Sequence, residues 1–253
     1  MRIATISQPR YMPYPGYFHR IALSDVFVVL DTVQFKAREW DRRNKVRVSQ
    51  NKGWTWLTVP VTNARRDTII YEVRIDNSQP WQEKHWRTLE SSYRRAPYFD
   101  AYAADLKSFY TREYDLIRDF NVDMTRYFCK CLGISTEIVL ASTLHAKGTS
   151  SDLLVDLCQL IAADTYWSGS DGRRYIDEAK FFPAGISLVY QDYHHPTYPQ
   201  IHGLPFVPYM GIVDLLFNCG PASLDILLSG NDDPRRISPP FRCSGVALQS
   251  AVF

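Results

Sequence analysis

The chain has 253 residues, and its 29 Lys and Arg residues nearly balance its 27 Asp and Glu residues. With 45% hydrophobic and 22% charged residues, the composition is that of a globular protein, which excludes a disordered chain, a collagen-like repeat and a disulfide scaffold. No apolar run of about 18 residues and no signal-peptide core is present, and five unevenly spaced cysteines suit a reducing compartment. We therefore expect a cytoplasmic protein without a membrane span.

The first thirty residues predict a βαβ unit. An apolar strand over residues 3–7 leads into a loop, residues 8–16, which holds three prolines and ends at Gly16. Apolar positions then recur at helical spacing up to residue 22, and the apolar run 26–30 lies between two aspartates. A run that is apolar throughout is typical of a strand covered on both faces, which indicates a parallel sheet.

The middle of the chain changes from β-like to helical patterning. Residues 55–61 and 68–75 are two β-like runs around a polar turn, and we expect them to form a hairpin-like insertion over residues 54–76. Residues 80–132 carry apolar positions at helical spacing, and Gly133 is suited to end the last helix. A helical middle section therefore follows the insertion.

Strands and helices alternate again in the second half. Strands are predicted over residues 136–140, 165–167 and 186–190, and helices from residue 149, 150 or 151 and over residues 212–219 and 222–228. This alternation predicts an α/β protein with a Rossmann-like, mostly parallel sheet and helices on both faces. We expect residues 1–228 to form a single domain and residues 229–253, which lack periodicity, to form a loosely ordered tail.

Short motifs along the chain resemble those of the WbqC-like protein family. They include QPRYMP at residues 8–13, GYF at 16–18, SDVF at 24–27, DTVQF at 31–35, RNK at 43–45, WLTVP at 56–60 and DLLFN at 214–218. The resemblance covers about residues 1–228. It implies an enzyme of bacterial O-antigen or related biosynthesis, with a proposed role as a glycine (aminoacyl) transferase acting on an amino sugar.

The opening unit is also similar to that of nucleotidyltransferase and pantothenate-synthetase type domains. In those proteins a His-x-Gly-His motif follows the first loop and handles phosphates. Here the stretch is PGYFH at residues 15–19, so the glycine is present and the histidine pair is not. This second resemblance implies a nucleotidyltransferase-like fold but does not by itself establish a chemistry.

A basic segment is the main candidate for binding phosphate. Residues 36–66 hold nine Lys and Arg residues and only two acidic residues, with Trp40, Trp54 and Trp56 among them. Arginine binds phosphate through two hydrogen bonds and aromatic rings stack on bases, so the segment suits a nucleotide sugar or an aminoacyl-tRNA. The alternative is a solvated loop beside an edge strand that its charge protects. If the segment binds substrate, Arg43, Asn44, Lys45 and Trp56 are the residues predicted to contact it.

A histidine that follows a predicted strand is the candidate general base. His195 comes shortly after the strand over residues 186–190, at an end of the sheet where open α/β proteins bind ligands. Imidazole titrates near neutral pH and can accept a proton in catalysis. The alternative is a structural histidine that caps a loop. The histidines and cysteines have no regular ligand spacing, so no metal site is expected.

Polar side chains in other elements complete the candidate site. Asp214 and Asn218 lie one helical turn apart among apolar residues, and burying them without partners would cost on the order of several kcal/mol. They must therefore bond a ligand or another polar group. Asp31 and Asp214 are assigned catalytic roles beside His195. The substrate contacts, drawn from strand ends, loops and the family motifs, further include Gln8, Tyr11, Gln34, Ser168, Tyr198, Gln200 and Asn218.

Together these features favour a transferase that forms an amide. The expected donor group is glycine or another small aminoacyl group, and the expected acceptor is the amine of an amino-sugar nucleotide or a similar metabolite. The activated donor would be an aminoacyl-tRNA or an adenylate made with ATP. The residues leave two other functions open: ATP-dependent nucleotidyl transfer or ligation, and a non-catalytic protein that binds carbohydrate or tRNA.

Overall fold

The computed structural model describes residues 1–49, 53–62, 65, 67–203, 205–229, 231 and 233–235. Its strands and helices are, in chain order, β1 (Ile3–Ser7), α1 (Pro15–Ala22), β2 (Val26–Val29), β3 (Arg43–Arg47), β4 (Trp54–Thr58), β5 (Val61–Thr62), β6 (Arg74–Ile75), α2 (Trp81–Tyr93), α3 (Phe99–Ser108), α4 (Ile117–Leu132), β7 (Glu137–Leu140), α5 (Ala141–Leu144), α6 (Ser150–Leu160), β8 (Thr165–Ser168), β9 (Ser187–Tyr190), α7 (Ile212–Cys219) and α8 (Ser223–Leu228). Within these described ranges, no helix has the length and apolar character needed to cross a bilayer.

Five strands form one sheet in the order β7-β2-β1-β8-β9, and every neighbouring pair is parallel. The chain therefore starts in the middle of the sheet, extends it on one side through β2 and β7, and returns to extend the other side through β8 and β9. The strand order reverses between β1 and β8, which makes the carboxyl ends of these two strands the switch point where open α/β sheets bind ligands. The expected α/β fold with a parallel sheet is confirmed.

Apolar residues cover both faces of the sheet because successive side chains of a strand point to opposite sides. In β2, Phe27 and Val29 pack in one apolar cluster with Phe18 of α1 and residues of α4. Val26 and Val28 pack in a second cluster with residues of α6. The α2–α4 section, expected from its helical spacing, adds its apolar side chains to the first cluster.

The insertion differs from its expected pairing. Strand β4 pairs with β3 in an antiparallel hairpin, whereas only β5 and β6 preserve the expected pairing between the two β-like runs. Residues 70–72 form a 3₁₀ turn instead of a strand. Strand β3 was not predicted because Arg43, Lys45 and Arg47 interrupt its apolar pattern. Asn44 and Val46, which lie between them, are buried.

The expected tail, residues 229–253, lies mostly outside the described residues. Two of its described members contact the domain. The Asn231 side chain accepts a hydrogen bond from the His194 amide and donates to the His194 carbonyl group, and Arg235 pairs with Asp25 at 3.2 Å. Asn231 therefore lies beside the segment that leaves β9, and Arg235 lies beside the loop between α1 and β2.

Candidate functional site

The candidate site lies where the chain leaves β1, β8 and β9 and where α1 begins. Gly16, in the first turn of α1, packs against two aromatic rings: a Cβ at this position would lie 2.5 Å from a ring carbon of Tyr14 and 2.7 Å from one of Tyr193. Glycine here lets the segment that follows β9 pack directly on the start of α1. This close approach brings residues 191–195 beside the helix.

His195 has the hydrogen bonding expected of a base. Its Nδ1 lies 2.8 Å from the carbonyl oxygen of Pro196, which can only accept a hydrogen bond, so Nδ1 carries the ring proton. The free electron pair is then on Nε2, which is buried and has no partner among the described residues. Burial lowers the pKa of His195, and the charge of Lys45 lowers it further, so the ring is neutral at pH 7.

His19, on α1, is a second neutral imidazole with the opposite tautomer. The amide nitrogen of Gln191 donates to the carbonyl oxygen of Gly16 at 2.9 Å, which fixes the orientation of the amide, and the same nitrogen lies 3.0 Å from Nδ1 of His19. Nδ1 therefore accepts, and Nε2 carries the proton. This Nε2 is also buried without a partner in the described part of the chain. Burial lowers the pKa of His19 to about 4.

Tyr193 lies between the two imidazoles. Its ring centroid is 5.2 Å from that of His19 and 6.0 Å from that of His195. Its hydroxyl group is buried without a partner, and burial raises its pKa, so the phenol keeps its proton. Tyr209 packs on His195 with ring centroids 5.1 Å apart and is 47% exposed, so this histidine cluster reaches the surface. A cluster of unpartnered buried polar groups suits a bound polar molecule.

The outer face of the β3–β4 hairpin carries cations interleaved with tryptophans. We call Trp40, Arg43, Lys45, Trp54 and Trp56 the cation–tryptophan face. The guanidinium of Arg43 lies 4.5 Å from the ring of Trp56, and the ammonium of Lys45 lies 5.1 Å from the ring of Trp54. All five side chains are partly exposed. The Gly211 amide donates to the Lys45 carbonyl oxygen at 2.9 Å, and Tyr209, two residues earlier, packs on His195, so this face lies beside the histidine cluster.

Asp214 positions the segment that carries His195. Its carboxylate accepts hydrogen bonds from the hydroxyl groups of Tyr93 and Tyr198, both at 2.9 Å, and from the amide of Gln200 at 2.7 Å. The ring of Tyr198 stacks on His195 with centroids 6.2 Å apart. Burial raises the pKa of Asp214 to about 6, although these hydrogen bonds oppose the shift. Asp214 is thus bonded internally and orients Tyr198, which in turn contacts His195.

Asn218 and Gln200 brace the same segment. Asn218 accepts a hydrogen bond from the amide of Ile201 at 2.8 Å and donates to the Asp214 carbonyl oxygen at 2.6 Å. Gln200 exchanges two hydrogen bonds with the backbone of Val207. Phe206, beside Val207, packs on His195 with ring centroids 5.7 Å apart. These predicted site residues therefore come together around His195 as its support.

Three other predicted site residues bond their polar groups to partners inside the protein. Asp31 is fully buried and accepts hydrogen bonds from the backbone and hydroxyl group of Ser142, with Arg118 at 3.4 Å. Tyr11 is fully buried, and its hydroxyl group contacts His85 and Tyr110. The Asn44 amide donates to the backbone of residues 11 and 12. Their contacts are with the core and not with the histidine cluster.

The remaining predicted residues occupy different surroundings. Gln8 is the first residue after β1 and is half-buried. Ser168 ends β8 and is buried, and a Cβ on Gly172 would collide with its hydroxyl group. Gln34 is exposed and forms a bridge with Ile69. Gln8 and Ser168 thus flank the switch point, and Gln34 does not.

Sequence reasoning missed His19, Gln191 and Arg20. His19 and Arg20 lie in a short helix that was predicted from its apolar spacing, and Gln191 directly follows a strand. The available signal was the presence of two polar residues, His19 and Arg20, in a helix that the pattern predicts to be buried. Among the described residues, no group of three or more His, Cys, Asp or Glu side chains is arranged to hold a metal ion.

Comparisons with known proteins identify a matching family and a similar protein. The model of the WbqC-like protein family matches residues 8–226. A protein of Mycobacterium tuberculosis, itself described as uncharacterized, is 36% identical over 230 residues, which cover 90% of this chain and 98% of that protein. No solved structure matches the chain significantly.

Proposed function

The chain belongs to the WbqC-like protein family, and from this premise we propose that it is a transferase that forms an amide between an activated small aminoacyl group, glycine first, and the amine of a nucleotide-linked amino sugar. The observation that carries the proposal is the state of His195. It is neutral, its Nε2 electron pair has no partner among the described residues, and it borders a cationic, tryptophan-bearing surface. Amide formation needs a proton acceptor and a phosphate-binding surface together.

In the proposed reaction the amine nitrogen of the sugar attacks the carbonyl carbon of the aminoacyl donor. The new C–N bond forms, the C–O bond to the carrier breaks, and the carrier leaves with that electron pair. Nε2 of His195 takes the proton that the nitrogen loses and later gives it up to the leaving group or to water. Proximity and orientation contribute on the order of 7–11 kcal/mol in such two-substrate reactions, so alignment accounts for much of the catalysis.

The cation–tryptophan face holds the nucleotide part of the acceptor in this proposal. Arg43 and Lys45 neutralise its phosphates, while the partly exposed tryptophan rings stack on its base. Asp214, through Tyr198, keeps His195 in place as the substrates bind. Asp214 is a positioning residue in this account, because its oxygens are bonded inside the protein.

The test is incubation of the purified protein with an amino-sugar nucleotide and isotope-labelled glycine. Parallel reactions contain ATP, or glycyl-tRNA generated by tRNA and its synthetase, and the products are weighed by mass spectrometry. The proposal predicts a sugar nucleotide heavier by one glycyl residue in one of these reactions. Release of AMP or pyrophosphate without a glycylated product would instead favour nucleotidyl transfer or ligation. Binding of the sugar nucleotide with no turnover in any reaction would contradict the transferase and favour a binding protein.

A further inference from the structure

A buried guanidinium without a counter-ion lies beneath the histidine cluster. Arg20 of α1 is only 7% exposed, and no carboxylate forms an ion pair with it anywhere in the described ranges. One of its Nη atoms donates to the hydroxyl group of Thr5 at 3.2 Å, and its Nε is buried without a partner. Burying an unpaired charge is costly, so proteins that retain one ordinarily place an anion beside it.

Arg20 lies at the switch point of the sheet. Thr5, its hydrogen-bond acceptor, belongs to β1, and Gly169 directly follows β8. A Cβ on Gly169 would be 3.5 Å from the guanidinium carbon, so the backbone leaving β8 passes next to the charge. The guanidinium therefore lies between the two strands whose carboxyl ends form the usual ligand crevice of this architecture.

Two further donors are close to Arg20. His19 precedes it in α1, and its protonated Nε2 is buried without a partner. Arg10 follows β1, has a buried Nε without a partner, and interacts electrostatically with Arg20. Burial lowers the pKa of Arg20, and the described side chains that act on it most are Arg10 and the tyrosines Tyr14, Tyr166 and Tyr17. Asp41 interacts electrostatically with Arg10, and Asp233 with His19, whereas Arg20 is buried and has no ion pair among the described residues. The charge of Arg20 is therefore the one that an anionic guest would balance.

We propose that Arg20, Arg10 and the Nε2–H of His19 form a subsite for a phosphoryl group at the switch point between β1 and β8. This subsite shares no residue with the cation–tryptophan face, whose Lys45 acts on the pKa of His195. The inference deepens the proposed function, on which it rests for the identity of the ligand, because two phosphate-bearing substrates would then meet at His195. The second one is the carrier of the aminoacyl group.

Titration calorimetry with inorganic pyrophosphate tests the subsite without any turnover. The wild-type protein is expected to bind, and Arg20→Met is expected to weaken binding by about tenfold or more, because a charge-assisted, bidentate contact is lost. Arg20→Lys keeps the charge without the planar fork and is expected to bind with intermediate affinity. Arg126→Met, which removes an exposed arginine from α4, serves as the matched control and is expected to bind as wild type does.

Thermal unfolding separates ligand binding from a structural role. Without pyrophosphate, Arg20→Met is expected to unfold at the wild-type temperature or above it, since the substitution removes an unpaired buried charge. With pyrophosphate, wild type is expected to gain stability and Arg20→Met is not. Absence of pyrophosphate binding to wild type, or equal binding by Arg20→Met, would overturn the subsite. So would a loss of binding in Lys45→Met that is not seen in Arg20→Met.

Two nucleotides identify the source of the phosphate. Binding of AMP that depends on Arg20 would assign the subsite to an adenosine-bearing donor, and binding of UMP that depends on Arg20 would assign it to the sugar nucleotide. Either result supports the subsite, and the UMP result would overturn its assignment to the carrier of the aminoacyl group. The outcome is also separable from that of the proposed function: a protein that binds pyrophosphate through Arg20 but never glycylates an amine would retain this inference and lose the transferase.

Discussion

Two histidines of the site hold opposite tautomers, so one has a free acceptor nitrogen and the other a free donor nitrogen. The Pro196 carbonyl oxygen leaves His195 with a free acceptor nitrogen, and the Gln191 amide leaves His19 with a free donor. An acceptor and a donor on either side of Tyr193 match the needs of amide formation, in which one proton is removed and an oxygen gains negative charge. His195 bonds the Pro196 carbonyl group directly, and the Gln191 amide that bonds His19 is oriented by the Gly16 carbonyl group, so both assignments follow from the folded structure.

His195→Gln is expected to lower kcat of the glycyl transfer by about 10²–10⁴-fold, the usual contribution of a general base. Binding of the sugar nucleotide should change little, because the proposed phosphate contacts remain. His194→Gln is the matched control, since this neighbouring histidine is exposed. Steady-state kinetics of the two variants provide the measurement. Equal rates for both variants would contradict the role of His195.

Asp214 is expected to make the folding stability depend on pH in an unusual direction. Burial raises its pKa from 3.8 to about 6, so between these values the folded protein holds a proton that the unfolded chain has lost. Its contribution to stability therefore increases as the pH falls from 7 to 4, by on the order of 2–3 kcal/mol. His19 and His85, whose pKa values burial lowers to about 4, act in the opposite direction, which can hide the effect in wild type.

Comparison with Asp214→Asn isolates this contribution. The free energy of unfolding of each protein is measured in urea at several pH values between 7 and 4, and the variant is subtracted from wild type. The difference should grow in favour of wild type as the pH falls. A difference that is constant or shrinks over this range would show that the Asp214 carboxyl group is ionised throughout.

At the scale of elements, the start of α1 determines how the segment after β9 is placed. A methyl group on Gly16 would collide with the rings of Tyr14 and Tyr193, whereas one on Gly169 would make ordinary contact with Arg20. Gly16→Ala is therefore expected to destabilise the fold by about 1–3 kcal/mol, and Gly169→Ala by no more than about 0.5 kcal/mol. Chemical denaturation measures both. Equal stability of the two variants would contradict the packing described.

The hairpin and the histidine cluster are electrostatically coupled through Lys45. Because the Lys45 charge lowers the pKa of His195, Lys45→Met is expected to move that pKa upward toward its ordinary value. Arg43→Met, on the same face, should move it less, since Arg43 is not among the groups that act on His195. Nuclear magnetic resonance titration of the imidazole follows both variants. An unchanged pKa in Lys45→Met would separate the hairpin from the site.

Local patterns predicted most of the elements because each is encoded by adjacent residues. Apolar runs indicated β1, β2, β7, β8 and β9, and helical spacing indicated α4, α6 and α7. Strand β3 was missed because its exposed face carries Arg43 and Lys45, which mask the buried Asn44 and Val46. Because β3 was missed, β4 was predicted to pair with the run that follows it in the chain, whereas it pairs with β3, which precedes it.

At the scale of the whole molecule, the strand order could not be inferred from the sequence, because it depends on contacts between residues far apart. His195 was singled out from its place after a strand, and the fold surrounds it with Tyr198, Gln200 and Asp214. Asp31 and Tyr11 carry equally polar groups, yet the fold turns those groups toward internal partners. Motif position thus indicates candidates, and only the three-dimensional packing shows which of them remain unsatisfied.

The central claim is that His19 and His195 face one ligand-binding crevice in opposite tautomers. Nitrogen correlation spectra of protein labelled in its histidines, recorded during titration with pyrophosphate and then with the amino-sugar nucleotide, test it directly. We predict that His195 carries its proton on Nδ1 and His19 on Nε2, and that both signals shift on titration while His85 in the core does not. A reversed tautomer at His195, or signals from His19 and His195 that stay unchanged at saturating ligand, would contradict the account.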